Sequence, residues 1–275
     1  MVLKSIEINA EKIARLKEIE LFLFDLDGTI YVGDRLIDGA AEVLNTVRRA
    51  GKRVCFLTNN SSKPRREYLY KLNKMGLGAT DGELYTSAQA TYEYLEREHR
   101  GKRIWLAATD GVKEDFASFG IKIVDDEPDA AVLAFDTSAT YDKLNKFCRF
   151  LFKGAFYVAT HADLNCPHTV SPMPDAGSFI EFARAATGRV PDVVCGKPYA
   201  PAAKGITLKY GVEPRRIAMV GDRLYTDIRF GNNFKFLSIL VLTGEATEET
   251  LRTSRDKPDL TLGSVADLTE MLRRS

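Results

Sequence analysis

Short apolar runs that end in polar turn residues alternate along the chain with segments whose apolar residues recur at helical spacing. The strand-like runs are residues 21–24, 53–57, 84–86, 191–195 and 217–220. The helical patterns are residues 40–50 and 65–75. A short apolar run bounded by turn residues is typical of a buried parallel strand. Because strands that alternate with helices indicate βαβ units, the pattern predicts an α/β fold built on a parallel sheet.

One strand end carries the run Asp25-Leu26-Asp27-Gly28-Thr29. Open α/β sheets place their chemistry at the carboxyl ends of such strands. Two carboxylates there repel each other and resist burial unless a cation neutralises them, so a divalent metal site is one interpretation. The other is an Asp-Gly turn between two strands, which this pair alone does not exclude.

A second acidic group follows the strand at residues 217–220, in the Gly-Asp-Arg-Leu-Tyr-Thr-Asp run of residues 221–227. Asp222 lies at the strand end, and Asp227 follows about one helical turn later. Carboxylates from two strand ends can converge on one metal ion. Oxygen-only ligation suits a hard cation that binds a few carboxylates, waters and substrate phosphate. The two acidic groups therefore predict a Mg²⁺ site.

Two further strand ends carry polar residues that suit a phosphate dianion. The strand at residues 53–57 leads into Thr58 and Asn59, and the strand at residues 191–195 leads into Gly196 and Lys197. A hydroxyl, main-chain N–H groups and a lysine together make a cradle for phosphate. Taken singly, such residues often just cap helices or lie solvated at the surface.

The order of these motifs resembles a known family. Asp-x-Asp-Gly-Thr, Thr-Asn-Asn-Ser, Gly-Lys-Pro and Gly-Asp-x-x-x-x-Asp resemble the four motifs of the haloacid dehalogenase (HAD) superfamily of phosphohydrolases. Tyr31 and residues 160–167, 174–178 and 221–228 are similar to its NagD-like, or 4-nitrophenylphosphatase-like, subfamily with a type IIA cap. The resemblance covers nearly the whole chain after about residue 18. It is interrupted at residues 233–236, where Asn-Phe-Lys-Phe replaces the usual Asn-Ala-Gly-Ile.

The resemblance implies a Mg²⁺-dependent phosphomonoester hydrolase with a Rossmann-like parallel-sheet core. It implies that Asp25 is the nucleophile, which forms an aspartyl-phosphate, and that Asp27 is the general acid and base. Mg²⁺ would be held by the carboxylates of Asp25 and Asp222, by the main-chain carbonyl of Asp27 and by waters that Asp227 orients. Thr58 and the main chain of Asn59 would hold phosphate oxygens, and Lys197 would offset negative charge.

No motif occurs for about a hundred residues in the middle of the chain, a gap far longer than ordinary loops. The gap contains three strand-like runs, at residues 104–107, 130–134 and 156–159. It also contains one helical pattern, at residues 141–152. Thr140 is a suitable N-cap for this helix. We therefore expect a core at residues 1–81 and 189–275 and an inserted α/β cap at residues 82–188, as the resemblance also implies.

Residues 160–167 of the predicted cap are dense in Asp, Asn and His. One hypothesis is that this loop contacts the leaving group of the substrate through Asp163 and Asn165. The alternative is an Asx-turn network that closes a connection. The motifs describe only the phosphoryl half of the substrate. They leave open a nucleotide, a sugar phosphate, phosphoglycolate or pyridoxal phosphate, the classes on which members of the family act.

Composition limits the partners and the compartment. A length of 275 residues suits one domain with an insertion, and a formal net charge of +1 favours small molecules as partners over nucleic acid or a membrane. The resemblance implies that the small molecule is a phosphorylated metabolite. Four cysteines without metal-ligand spacing indicate reduced thiols in a cytoplasmic protein. Charged residues, Lys4 and Glu7 among them, interrupt any apolar segment of signal-peptide length. The oligomeric state, including a homo-oligomer, stays open.

Three alternatives compete with the phosphatase interpretation. A signalling receiver domain also combines acids, a Thr and a Lys around Mg²⁺, but it is far shorter and carries an acceptor Asp after a middle strand. The strand that ends at Thr58 has no such Asp. A phosphosugar mutase or a non-catalytic phospho-ligand-binding protein would keep the same fold. The presence of all four acids argues against lost catalysis, and hydrolysis of an aryl phosphate separates these functions.

Overall fold

The structure, a computed structural model, describes residues 10–168 and 170–274. Lys4 and Glu7, which entered the expectation about the compartment, lie outside the described residues. The strands are β1 Leu21–Phe24, β2 Tyr31–Val32, β3 Arg35–Leu36, β4 Arg53–Thr58, β5 Leu84–Thr86, β6 Ile104–Ala107, β7 Ala130–Leu133, β8 Phe156–Ala159, β9 Asn165–Cys166, β10 Met173–Pro174, β11 Val193–Val194, β12 Ile217–Gly221, β13 Leu237–Val241 and β14 Leu260–Leu262.

The helices fill the segments between the strands. The α-helices are α1 Ala10–Glu18, α2 Ala40–Arg49, α3 Arg65–Lys74, α4 Ser87–Glu98, α5 Asp110–Ser118, α6 Tyr141–Phe152, α7 Ala176–Thr187, α8 Ala200–Tyr210, α9 Arg229–Phe234, α10 Glu248–Thr253 and α11 Val265–Arg274. Two short 3₁₀ helices lie at Asp81–Glu83 and Pro214–Arg216, and a π-helical turn lies at Leu224–Ile228.

A six-stranded sheet has the strand order β14-β13-β12-β1-β4-β5. Its pairs from β14 to β4 are parallel, and Leu21 lies opposite both Ile217 and Arg53. Strands β1, β12 and β13 are buried along their whole length, which is why they are apolar in the sequence apart from Ser238 of β13. The α/β fold with a parallel sheet, predicted from the sequence, is confirmed.

A second sheet has four parallel strands in the order β11-β8-β7-β6. Its core is a cluster in which Trp105, Phe147, Phe150 and Tyr157 pack together with small residues of the strands and of α7. The predicted helix at residues 141–152 is confirmed, and the Thr140 hydroxyl caps it by accepting the Lys143 N–H. One face of α6 supplies Phe147 and Phe150 to this core.

The chain forms two compact units. The first consists of residues 1–57, 71–84 and 206–275, and the second of residues 58–70 and 85–205. The boundaries fall inside β4, α3, β5 and α8, so each of these elements contributes residues to both units. The expected domain limits near residues 82 and 188 stay a prediction.

Two sequence expectations about the chain as a whole can be compared with the described residues. All four cysteines are free thiols, and burial raises the pKa of Cys195 to about 12, so this thiol is uncharged and unreactive. Among the described residues, no helix has both the length and the apolar character that crossing a membrane requires.

Candidate functional site

Three carboxylates meet at the carboxyl ends of two neighbouring strands in the first unit. Strands β1 and β12 pair in parallel, and the Asp25 N–H donates to Val220 O at 2.9 Å, so both strands end at the same edge. Asp25 follows β1, Asp222 follows β12, and Asp227 lies in the π-helical turn. One oxygen from each carboxylate lies within 4.8 Å of the other two. The structure thus brings these three predicted site residues together.

The position of Asp227 depends on the main chain around it. The N–H groups of Asp227 and Ile228 both donate to Arg223 O, which widens the turn. The Asp227 carboxylate in turn accepts the Arg223 N–H at 3.1 Å. A Cβ at residue 221 would collide with the Asp227 carboxyl group, so only glycine permits this approach. The side chain of Asp227 is fully buried as a result.

The electrostatics of this group suit a hard divalent cation. Burial raises the pKa of Asp222 well above its usual range, and the negative charges of Asp25 and Asp227 raise the pKa further. The main-chain N–H of Glu245 and the charge of Arg223 lower the pKa in part. Three crowded carboxylates, two of them buried, are stable together only if a bound cation or a proton neutralises part of their charge. Oxygen donors in this arrangement fit Mg²⁺ better than a soft metal.

Asp27 lies in the turn that leaves β1 and is partly buried. The following residue, Gly28, has a φ of +92°, and a Cβ there would lie 2.5 Å from Asp222 Oδ2. Both the positive φ and the close approach require glycine. Asp27 forms a β-bridge with Tyr31, which fixes the course of the turn. The Asp27 carboxylate does not belong to the group of three, and its predicted catalytic role stays a prediction.

The predicted phosphate-binding residues lie in the second unit and are connected to one another. Thr58 and Lys197 are 4% and 2% exposed, so both side chains are placed by the fold rather than by solvent. Asn59 Oδ1 accepts the Lys197 N–H at 2.8 Å, and Asn59 Nδ2 donates to Lys197 O at 2.9 Å. The Asn59 carboxamide therefore binds both the N–H and the C=O of Lys197, which is the pairing that a neighbouring β-strand would provide. Gly196 makes this possible, since a Cβ there would lie 2.6 Å from Asn59 Oδ1.

The two cap residues proposed for substrate recognition have different surroundings. The Asp163 carboxylate is buried and accepts Asn59 Nδ2 at 3.1 Å, and Asp163 O accepts the Gly177 N–H. Asn165 is exposed and lies in β9, opposite Pro174 of β10. These bonds tie Asp163 to the segment after β4 and to the start of α7, and neither of them is the Asx turn of the alternative interpretation. Contact of either side chain with a substrate stays a prediction.

The sequence interpretation assigned no role to a buried pair at the same loop. His161 and Asp175 are joined by a hydrogen bond of 2.7 Å and are both buried. His161 Nδ1 lies 3.0 Å from the Thr160 hydroxyl, which in turn bonds the Ser61 hydroxyl at 2.9 Å. The network ties the start of the loop at residues 160–167 to the segment after β4. A single His and a single Asp that lie 14 residues apart give no periodic signal by which the pair could be found.

A second missed element follows β13 in the first unit, where Glu245 donates its main-chain N–H to Asp222 Oδ2 at 2.7 Å. The run Thr243-Gly244-Glu245 comes after an apolar strand, as the recognised motifs do. The rule that chemistry follows strand ends would have pointed to it.

Known proteins match this chain over most of its length. The family model described as haloacid dehalogenase-like hydrolase matches residues 22–122, and the one described as HAD-hydrolase-like matches residues 194–268. Phosphoglycolate phosphatase 2 of Arabidopsis thaliana is 32% identical over 282 residues, which cover 92% of this chain and 93% of that protein.

Solved structures match it as well. The 4-nitrophenylphosphatase of Thermotoga maritima matches with a TM-score of 0.90 and 44% identity, over 93% of this chain and 98% of that one. The glycerol phosphate phosphatase of Mycobacterium tuberculosis, in complex with magnesium, matches with a TM-score of 0.86 and 29% identity, over 92% of this chain and 78% of that one. The similarity therefore extends over both units.

Proposed function

The chain belongs to the haloacid dehalogenase-like hydrolases and is a phosphatase of the NagD and 4-nitrophenylphosphatase group, and from this premise we propose that it hydrolyses small phosphomonoesters with Mg²⁺ through an aspartyl-phosphate. The observation that carries the proposal is the convergence of Asp25, Asp222 and Asp227 at one sheet edge. A bound cation would lower the mutual repulsion of these three carboxylates. Asp25 lies directly after β1, at the sheet edge where substrates bind in open α/β folds.

In the proposed reaction, Asp25 and Asp27 divide the chemistry. A carboxylate oxygen of Asp25 attacks phosphorus in line with the ester oxygen, so a bond from Asp25 to phosphorus forms while the ester bond breaks. Asp27 protonates the leaving alcohol, and it then removes a proton from the water that attacks the aspartyl-phosphate. General acid and base catalysis of this kind contributes about 10²- to 10⁴-fold to a rate.

The remaining site residues bind and neutralise the phosphoryl group in this proposal. The Thr58 hydroxyl and the main chain of Asn59 hold its oxygens, and the Lys197 ammonium group offsets its negative charge. The carboxylates of Asp25 and Asp222, the main-chain carbonyl of Asp27 and waters oriented by Asp227 would hold the metal. Bound Mg²⁺ would lower the mutual repulsion of the carboxylates and the phosphoryl oxygens.

The site residues described above do not determine the identity of the substrate's leaving group. Relatives are named for phosphoglycolate, 4-nitrophenyl phosphate and glycerol phosphate, which share only a phosphomonoester. We propose that this chain also acts on small phosphorylated metabolites, and that Asp163 and Asn165 affect the choice among them. If so, replacement of either by Ala changes the ratios of kcat/KM across a panel of metabolites, whereas a purely structural role depresses all substrates alike.

The function is tested by phosphate release from 4-nitrophenyl phosphate and from the metabolite panel. We expect hydrolysis with Mg²⁺, none after complete chelation, and recovery when Mg²⁺ is returned. Asp25→Asn should lower kcat by at least about 10³-fold. Asp126→Asn, which changes a carboxylate that is 83% exposed in the second unit, is the matched control and should keep wild-type activity.

Other outcomes would contradict the proposal. Conversion of one phosphosugar into another without phosphate release indicates a mutase. Ligand binding without either reaction indicates a non-catalytic protein. Undiminished hydrolysis with no metal present excludes the metal site.

A further inference from the structure

The segment that follows β13, residues 243–246, is joined to both acidic motifs of the first unit. We call it the 243–246 strap. The Thr243 hydroxyl donates to Gly28 O at 2.6 Å, within the motif that contains Asp25. The Glu245 N–H donates to Asp222 Oδ2 at 2.7 Å, and the Ala246 N–H donates to Asp222 O at 3.1 Å. The strap therefore holds Asp222 by both its side chain and its main chain.

The strap is itself anchored through the Glu245 side chain. The Glu245 carboxylate pairs with Arg223 Nε at 3.0 Å and accepts the Tyr225 hydroxyl at 3.1 Å. Both partners belong to the same motif as Asp222 and Asp227. The Arg223 side chain is 11% exposed and the Glu245 side chain is 48% exposed, so solvent screens this ion pair in part. The anchor fixes the position of the Glu245 N–H relative to the carboxylate it bonds.

Gly244 lets the strap approach Asp222 closely. A Cβ at this residue would collide with Asp222 Oδ2. The backbone of Gly244 has no positive φ, so the glycine is required by proximity and not by conformation. A side chain at residue 244 would have to displace either the strap or the carboxylate.

We propose that the 243–246 strap is a positioning element for Asp222, which orients its carboxylate for a hard divalent cation through the main-chain N–H of Glu245. A hydrogen bond from an N–H to an ionised carboxylate is short and directional, and it restricts rotation of the carboxyl group. Hydrogen-bond partners of metal ligands affect metal affinity about 10- to 100-fold although they do not touch the metal. The inference rests on the proposed Mg²⁺ dependence of the enzyme.

The test measures Mg²⁺ binding directly, by calorimetry on the full chain without substrate. We expect Gly244→Ala to raise the Kd for Mg²⁺ about 10- to 100-fold while the far-UV circular dichroism of the metal-free protein is retained. The matched control is Gly82→Ala, at a glycine of the same unit with an ordinary φ and no heavy atom closer than 4.0 Å to the added Cβ. It should bind Mg²⁺ as the wild type does.

The Glu245 side chain gives a second test that holds even if Gly244→Ala fails to fold. Glu245→Ala releases the anchor but keeps the main-chain N–H, and it should raise the Kd for Mg²⁺ about tenfold. Glu245→Gln keeps a hydrogen-bond acceptor for Arg223 and Tyr225, so it should recover most of this loss. A merely structural role would change the melting temperature of these variants without this order of Kd values.

Failure of the positioning role and failure of the proposed function give different results in these experiments. Wild-type affinity for Mg²⁺ in a folded Gly244→Ala, or in Glu245→Ala, overturns the positioning role while the proposed function stands. A wild-type protein that binds no Mg²⁺ contradicts the proposed function itself.

Discussion

At the scale of single residues, the Asn59 carboxamide joins segments of the second unit that are far apart in the chain. Its partners Asp163 and Lys197 lie 104 and 138 residues away. The sequence predicts a phosphate-binding role for the main chain of this residue from its motif. It does not predict the role of the side chain, because the fold alone decides which distant groups meet there.

Asn59→Ala should therefore destabilise the second unit. The change leaves the Lys197 N–H and the Asp163 carboxylate, both buried, without these bonds, which should cost about 3 kcal/mol of unfolding free energy. Denaturant unfolding followed by fluorescence measures this cost, because Trp105 is the chain's single tryptophan and lies in the core of that unit. Asn145→Ala, at an exposed position of α6, is the control, expected within about 0.5 kcal/mol of wild type. If Asn59→Ala lowers the unfolding free energy by no more than Asn145→Ala does, the Asn59 carboxamide does not stabilise the second unit.

Lys235 occupies a conformation that suits glycine. It ends α9 with a φ of 62°, at the position where the family pattern departs from Asn-Ala-Gly-Ile. A left-handed residue with a Cβ costs about 1–2 kcal/mol, part of which the added freedom of glycine in the unfolded chain offsets. Lys235→Gly should raise the unfolding free energy by about 0.5–1 kcal/mol, measured by thermal unfolding.

The control for this prediction is another lysine at a helix end. Lys153 follows α6 with a φ of −79°, where glycine has no conformational advantage. Lys153→Gly should lower the unfolding free energy by about 0.5–1 kcal/mol. Destabilisation of equal size in both variants would contradict the strain assigned to Lys235.

At the scale of elements, the sequence predicts those whose pattern is local and strong. Strands β1, β5, β6 and β8 and helix α6 have the predicted bounds, because continuous apolar runs and a capped amphipathic pattern need no distant partner to be recognised. The strand expected at residues 191–195 is shorter, with only Val193–Val194 assigned. It lies at the edge of its sheet, where Pro191 has no N–H to donate.

Elements that depend on tertiary interactions are not predicted by the local sequence pattern. The spacing of Asp222 and Asp227 indicates about one helical turn, but it does not predict that this turn is π-helical or that Gly221 lies close to the Asp227 carboxyl group. The 243–246 strap is short and polar and has no periodicity. Its importance is visible only once Asp222 lies beside it.

Strand β8 carries a tyrosine whose hydroxyl has no hydrogen-bond partner among the described residues. Tyr157 is fully buried, and burial raises the pKa of its phenol, with the nearby Cys148 adding to the effect. Removing an unsatisfied buried hydroxyl recovers its desolvation cost. Tyr157→Phe should therefore raise the unfolding free energy by about 1 kcal/mol, as measured by Trp105 fluorescence in denaturant.

Tyr85→Phe is the matched control for this prediction. Tyr85 is also fully buried, but its hydroxyl donates to Glu93 Oε2 at 2.7 Å. Loss of that bond should cost about 1–2 kcal/mol. The opposite signs of the two variants are the expected result, and a loss of stability in both would mean that the Tyr157 hydroxyl is satisfied in solution.

At the scale of the whole molecule, the chain distributes its motifs over two units. The acids Asp25, Asp222 and Asp227 belong to the first, and Thr58, Asn59 and Lys197 belong to the second. The fold class follows from the alternation of strands and helices, and the family follows from the order of the motifs. The limits of the units do not, because they fall inside continuous strands and helices that carry no break in composition.

The central claim is that Asp25 forms a covalent phosphoryl intermediate, and intact-mass spectrometry of Asp27→Asn tests it most directly. 4-Nitrophenolate leaves without protonation, so this variant should still be phosphorylated, whereas loss of the base slows hydrolysis of the intermediate. With Mg²⁺ and 4-nitrophenyl phosphate, we predict the added mass of one phosphoryl group on the intact chain, and peptide mapping should locate it on the peptide that contains Asp25. Hydroxylamine should remove it, and Asp25→Asn should show none. Release of nitrophenol by Asp27→Asn without this adduct in rapidly quenched samples, or an adduct on another residue, would contradict the account.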